Sequence, residues 1–179
     1  MNARDGMVLP DIQSQPDRRN LAIGGVGVKG VRYPIHISSG GSVTPTVATL
    51  AMTVGLPASV KGTHMSRFIE LLEAQTDPFN RKTFIAMAHD MLARLHAESG
   101  TIEMQFPYFV KKTAPVSGVS SLLDVDVCWR ASVTQDGQYT FRTKVVVAAT
   151  SLCPCSKEIS AYGAHNQRSH ISIDAALNA

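Results

Sequence analysis

VDVCWRASVTQDGQYTFRTKVVV, residues 125–147, decides the architecture. Val125, Val127, Trp129, Ala131 and Val133 alternate with other residues, and Tyr139, Phe141, Thr143, Val145 and Val147 repeat the pattern. Alternation at period two puts each set on one face of a pleated sheet, as in a half-buried strand. Between the runs stands Asp136-Gly137, a short hairpin signal, because glycine accepts the positive φ of a tight turn. Two antiparallel strands follow. Cys128, alternating with its strand neighbours, is expected to be a buried, inert thiol.

Working outward toward the N-terminus, Ile102, Met104 and Phe106 form a further strand pattern. Before it the period becomes helical: Met65, Phe68, Ile69 and Leu72, then, past Asp77-Pro78, Phe84, Ala88, Met91, Leu92 and Leu95, the second helix ending near Gly100. Earlier still, from Val31, Tyr33, Ile35 and Ile37 alternate, with Gly30 and Pro34 marking an edge strand or a bulge. Leu50, Met52 and Val54 do so after the Gly40-Gly41 turn. The order β-β-α-α-β-β, then another strand, is an α+β antiparallel sheet with helices on one face. We read residues 1–22 as an arm, 23–136 as a first module and 137–179 as the first two strands of a second. Open sheet edges ask for a partner, so the chain is expected to oligomerise.

Composition narrows the function. The 179 residues are 44% hydrophobic and 17% charged, enough for a real core. Seventeen Lys+Arg against 14 Asp+Glu give a net charge of +3, too slight to point to a nucleic-acid partner, so none is expected, and compatible with a small polyanion such as a nucleotide. No apolar run approaches the roughly 20 residues that span a bilayer, and the polar N-terminus has no signal-peptide pattern, so no membrane and a cytoplasmic setting are expected. Three cysteines, with Cys153 and Cys155 one residue apart, make a poor disulfide framework and favour reactive or metal-bound thiols.

Chemistry concentrates in SLCPCSKEISAYGAHNQRSH, residues 151–170. Pro154 suits the first position of a short helical turn, whose free N–H groups, with Lys157 nearby, favour a thiolate. The alternative is a pair of buried, inert cysteines. His165, at the start of the returning strand, can bring an imidazole to the same sphere as Cys153. Two ligands are not a site, since a catalytic metal takes three protein ligands plus an open position, and the only acid in the loop is Glu158. His170 is expected on the opposite face from His165, as a structural or interface residue.

A second unusual segment, Lys61 to Arg67, enters the first helix and reads either as an anion site using Lys61, His64 and Arg67 or as a helix cap with solvated charges. Likewise Lys111 to Gly118 reads as a basic loop that touches an anion or simply joins a hairpin.

Three segments together, KGTHMSRF (61–68), FPYFVKKTAPVSG (106–118) and TSLCPCSKEISAYGAHNQRSH (150–170), resemble type IB GTP cyclohydrolase, with the likeness running from about Leu9 to Asp174. The resemblance implies a tunnelling fold, with a β-β-α-α-β-β module twice per subunit and sheets assembled into a barrel-like homotetramer. It implies a metal-dependent conversion of GTP and water to 7,8-dihydroneopterin triphosphate and formate, the first step of tetrahydrofolate synthesis, with Zn, Mn or Fe as the divalent ion. It assigns Cys153 as metal ligand and catalytically important residue and His165 as metal ligand; Cys155 receives no coordination role. His64, Arg67 and Lys112 become candidates for the triphosphate or for shaping an intersubunit pocket. Family members continue for a further segment with acidic residues, among them the glutamate that completes the metal site. A chain ending at Ala179 is therefore expected to hold metal poorly and to lack cyclohydrolase activity. The rival readings are a truncated, non-catalytic oligomerisation module of the same fold and a thiol or metal carrier using C-x-C.

Overall fold

The protein is described from a computed structural model, which covers residues 16, 18–159, 161 and 166–177. Strands β1 (Ile23–Ser39) and β2 (Ser42–Leu56) are followed by helices α1 (Ser66–Glu73) and α2 (Arg81–Leu95). Then come β3 (Ser99–Thr113), β4 (Ser120–Thr134), β5 (Tyr139–Leu152), the short α3 (Pro154–Ile159) and β6 (Asn166–Ala176). The strands form one antiparallel sheet in the order β1-β2-β3-β4-β5-β6. This is the α+β arrangement expected, with β5 and β6 prolonging the same sheet.

Period-two patterning places the core. Leu50, Met52 and Val54 of β2, Ile102, Met104 and Phe106 of β3, Ala131 and Val133 of β4 and Phe141 of β5 are all buried on one face, against the two helices. Phe84 of α2 anchors this layer, meeting Phe79, Trp129 and Phe141 edge-to-face with ring centroids 6.2, 5.7 and 6.1 Å apart, the geometry that aromatic quadrupoles favour. At Gly30, φ is +74° and the β1–β2 register shifts between Lys29 and Val31, so the expected bulge on an edge strand is present. Asp136-Gly137 turns the β4–β5 hairpin, with Gly137 at φ +86°.

Helix boundaries follow capping chemistry. Asn80 opens α2 with a capping box: its Oδ1 accepts from the Lys82 and Thr83 amides at 2.8 and 3.1 Å, and its own amide donates to Thr83 Oγ1 at 2.8 Å. The helix stops at Leu95, with His96 left-handed at φ 51°, earlier than the expected end near Gly100. Gly100 belongs to β3, where a Cβ would lie 2.6 Å from Met91 Cε and 3.0 Å from the Thr53 carbonyl oxygen. Close approach of helix to sheet, not a helix end, is why glycine stands there. In α1 the buried side chains are Phe68, Leu71 and Leu72, whereas Met65 and Ile69, expected on the apolar stripe, are exposed. An eight-residue helix has room for only a narrow inward stripe, centred one position further round than predicted.

Three further expectations change. The first strand starts at Ile23 rather than near Val31, and Lys111, Lys112 and Thr113 are strand residues of β3, so the connecting turn is shorter than the predicted loop. Cys128 is half-buried on the sheet face away from the helices, not in the core. Alternation told correctly that it sits in a strand; its parity, opposite to Trp129, puts it on the open side. Of the arm, Pro16 makes an antiparallel bridge to Val60.

Candidate functional site

The Cys153 loop is set up by the β5–β6 ladder. Pairing runs without a register shift from Arg142 opposite Ala176 to Leu152 opposite Asn166. Cys153 follows directly and takes the N-cap place of α3, its carbonyl accepting from the Lys157 amide at 3.2 Å. Proline at the first helical position has no N–H to lose, so the next free amides belong to Cys155 and Ser156. Hydrogen bonds from the Ser156 amide and hydroxyl, followed by those of Cys155, hold the Cys153 thiol below its ordinary pKa. Cys155 is exposed. Neither cysteine of the pair is buried in the core, which removes the inert-pair reading. His165 lies outside the described residues. His170, opposite Ala148, is an exposed strand residue. Among the described residues no three His, Cys, Asp or Glu side chains come together as a metal site.

Strand directions fix the remaining candidates. Lys112 pairs with Ser121 near the hairpin end of β3 and β4, and β5, which pairs Val146 with Asp126, runs to that same end at Leu152. Lys112 and Cys153 therefore share one end of the sheet. His64 and Arg67 sit at the other, beside Val54 and Leu56 of β2 and Leu95 and His96 at the end of α2, lining a cavity of about 210 Å³. Gly100, level with Val54, and Thr113 stand at the two ends of β3. At ~3.3 Å per residue they are roughly 40 Å apart. One chain thus does not bring His64 and Arg67 together with Lys112 and Cys153. Arg67 is half-buried, and its Nη1 donates to the Arg94 carbonyl at 2.7 Å.

The face away from the helices carries a third group that the sequence reading passed over. Arg32, Glu103, Cys128, Arg130 and Lys144 line a concavity of about 740 Å³. Arg130, directly opposite Glu103, donates to its carboxylate through Nε at 3.0 Å and also through Nη2. That guanidinium lowers the Glu103 pKa, while burial followed by Glu103 raises that of Cys128. The signal was available in the polar members of each alternating strand, which mark a face but not the neighbours across it.

Comparison of the sequence with known proteins points to one family. The sequence model described as Type I GTP cyclohydrolase folE2 matches residues 9–179. GTP cyclohydrolase FolE2 1 of Dechloromonas aromatica (strain RCB) is 56% identical over 178 residues, covering 99% of this chain and 67% of the relative. GTP cyclohydrolase FolE2 of Azoarcus sp. (strain BH72) is 51% identical, covering 99% and 66%. That of Ralstonia nicotianae (strain ATCC BAA-1114 / GMI1000) is 55% identical, covering 97% and 65%. The chain spans about two thirds of the length of these relatives.

Proposed function

This chain belongs to the type I GTP cyclohydrolase folE2 family, and from that premise we propose that the protein is a metal-dependent GTP cyclohydrolase I, hydrolysing GTP to 7,8-dihydroneopterin triphosphate and formate. The observation that carries the reading is Cys153, a thiol held toward its thiolate form at the mouth of the loop that Leu152 and Asn166 close. Thiolate, not thiol, ligates metal, and a thiolate with an imidazole suits borderline ions such as Zn or Fe, while a carboxylate as third ligand also admits Mn. His165 immediately precedes Asn166, the residue that closes the β5–β6 ladder opposite Leu152. Cys153 and His165 would hold the ion, with a carboxylate as third ligand. When bound, the ion supplies Lewis acidity that lets water attack C8 of guanine at neutral pH.

Lys112, on the same end of the sheet as Cys153, is placed to meet an anion there. His64 and Arg67 lie too far off to touch that substrate within one chain. They take part only if the opposite end of another copy approaches, which supports a homotetramer whose pockets lie between subunits. The long free edges of β1 and β6 favour the same assembly. We retain the division at residues 22 and 136: helices cover β2–β4 and, on β5, reach only to Phe141, whereas on the same side of β6 Ile171 and Ile173 are 52% and 59% exposed, an apolar strip that a second module's layer would cover. No described helix is long and apolar enough to cross a membrane, and a reducing cytoplasm suits the free thiols.

Purified protein of the relatives' full length, in which a third ligand can join Cys153 and His165, analysed for bound Zn, Mn and Fe and for formate released from GTP tests the reading. Stoichiometric metal with formate release is expected. Neither metal nor formate would overturn it and leave a non-catalytic assembly module.

A further inference from the structure

Past Gln105 the β3–β4 hairpin leaves the sheet as an arm. The β2–β3 ladder ends at Thr49 opposite Gln105 and the β4–β5 ladder at Asp126 opposite Val146, whereas β3 and β4 stay paired out to Thr113 opposite Ser120. Residues 106–125 therefore form a two-stranded ribbon with no ladder on either side, tied to β2 through a hydrogen bond from Thr46 Oγ1 to the Pro107 carbonyl at 2.9 Å. Two strands alone are marginal in water and gain from a partner. Phe106 and Val125 are buried on the helix side. By alternation Pro107, Phe109 and Lys111 of β3, with Leu122, Asp124 and Asp126 of β4, lie on the opposite, open face. There Phe109 is 40% and Leu122 67% exposed. Lys111, Asp124 and Asp126 are exposed as well, and none of them joins an ion pair among the described residues.

The ladder register makes this face complementary to itself. Phe109 faces Asp124; two rungs toward the tip Lys111 faces Leu122, and two rungs toward the sheet Pro107 faces Asp126. Lys111 and Asp126 are thus four rungs apart, roughly 13 Å at ~3.3 Å per residue, too far to pair within one arm. A two-fold axis over Phe109 exchanges the outer rung with the inner one. It sets Lys111 of one copy over Pro107 and Asp126 of a second copy, with the two Phe109 rings at the axis. Lys144, opposite Cys128 and on the same face, balances Asp124, so the paired faces carry no net charge.

We propose that the open face of the β3–β4 arm is a docking surface for a second copy of this chain, joined about a two-fold axis over Phe109, with Lys111 of each copy paired to Asp126 of the other. The contact covers Phe109 and Leu122, and the charges fix its direction and register. It joins like ends of two chains. The approach of opposite ends, on which the proposed function calls, is a different contact, and two contacts of different kinds close a four-copy assembly. The arm contact does not rest on the cyclohydrolase reading.

Sedimentation equilibrium of protein of the relatives' full length tests it. Lys111→Asp and Asp126→Lys each set like charges across the axis and are expected to raise the dissociation constant of the contact about tenfold or more. Both side chains are exposed, so the fold should persist, which circular dichroism checks. Mixed in equal amounts, the two variants are expected to associate as the wild type does, because an arm with acid at positions 111 and 126 then meets an arm with lysine at both. A structural role inside one arm predicts no such recovery. Assembly unchanged in both single variants, or a mixture that fails to regain it, overturns the proposal. Wild-type protein that is monomeric at every concentration overturns it too. Formate release plays no part in the readout, so the result stands whichever way the cyclohydrolase test falls.

Discussion

Leu152 on β5 and Asn166 on β6 face each other as the last rung of an unshifted antiparallel ladder that starts at Arg142 and Ala176. Such a ladder leaves no freedom of register, because a one-residue slip would turn Val145 and Val147 to the other face. It delivers the start and the end of the Cys153 loop to the same place, and the first prediction depends on it.

In protein of the relatives' full length, Cys153→Ala is expected to lose both bound metal and formate release, and Cys155→Ala to cost less, since Cys155 is exposed and the substitution removes only its side-chain hydrogen bond to Cys153, weaker than those of Ser156. Metal analysis of each purified variant checks this. Equal loss from the two substitutions would mean that the ligand within the C-x-C pair is wrongly assigned.

Alkylation by iodoacetamide should separate Cys153 from Cys128. Reaction follows the thiolate, so a lowered pKa brings the rise in rate to lower pH and a raised one delays it. Hydrogen bonds from Ser156 lower the value for Cys153, and burial raises it for Cys128. In metal-free protein the rise in rate is expected at lower pH for Cys153 than for Cys128, with sites assigned by mass spectrometry. The reverse order would show that Ser156 does not hold the sulfur.

Glu103 gives the sheet an acid-sensitive contribution. Its folded pKa is lowered by Arg130, so the stabilisation is present above the ordinary carboxylate value and disappears as pH falls through the lower folded one. Arg130 is more than half exposed, so screening keeps this to about 1 kcal/mol or less. The thermal midpoint of Glu103→Gln should fall less steeply than wild type on acidification below pH ~4.3. Parallel curves would remove the contribution.

Gly100→Ala should destabilise by about 1–3 kcal/mol, an overpacking cost. The new methyl would meet Met91 and Leu92 side chains and, less yieldingly, the Thr53 carbonyl. Urea unfolding measures it, and unchanged stability would show that α2 does not sit as tightly on β2 and β3 as the distances require.

Much of the fold was legible because periodicity is local. The buried sets Leu50, Met52, Val54 and Ile102, Met104, Phe106 could be read directly, as could the Gly30 bulge and the Asp136-Gly137 turn. Gly100 misled because a glycine for close packing looks the same in sequence as one for a helix end. Cys128 misled because alternation shows that two faces exist without saying which one the helices cover. In the candidate site, the thiolate character of Cys153 followed from Pro154 and the helical turn after it, both neighbours along the chain. The partner of Glu103 and the burial of Thr63 did not follow, since each depends on residues distant in sequence.

The sequence by itself determined the order of strands and helices and which loop carries Cys153 and Cys155, because side-chain spacing along a strand or helix is set by backbone geometry. Only the tertiary structure decided that Cys153 and Lys112 stand at one end of the sheet while Thr63, His64 and Arg67 stand at the other. Periodicity assigns a side chain to a face, but its position along the sheet depends on strand order and register, which are settled by contacts between segments far apart in the chain.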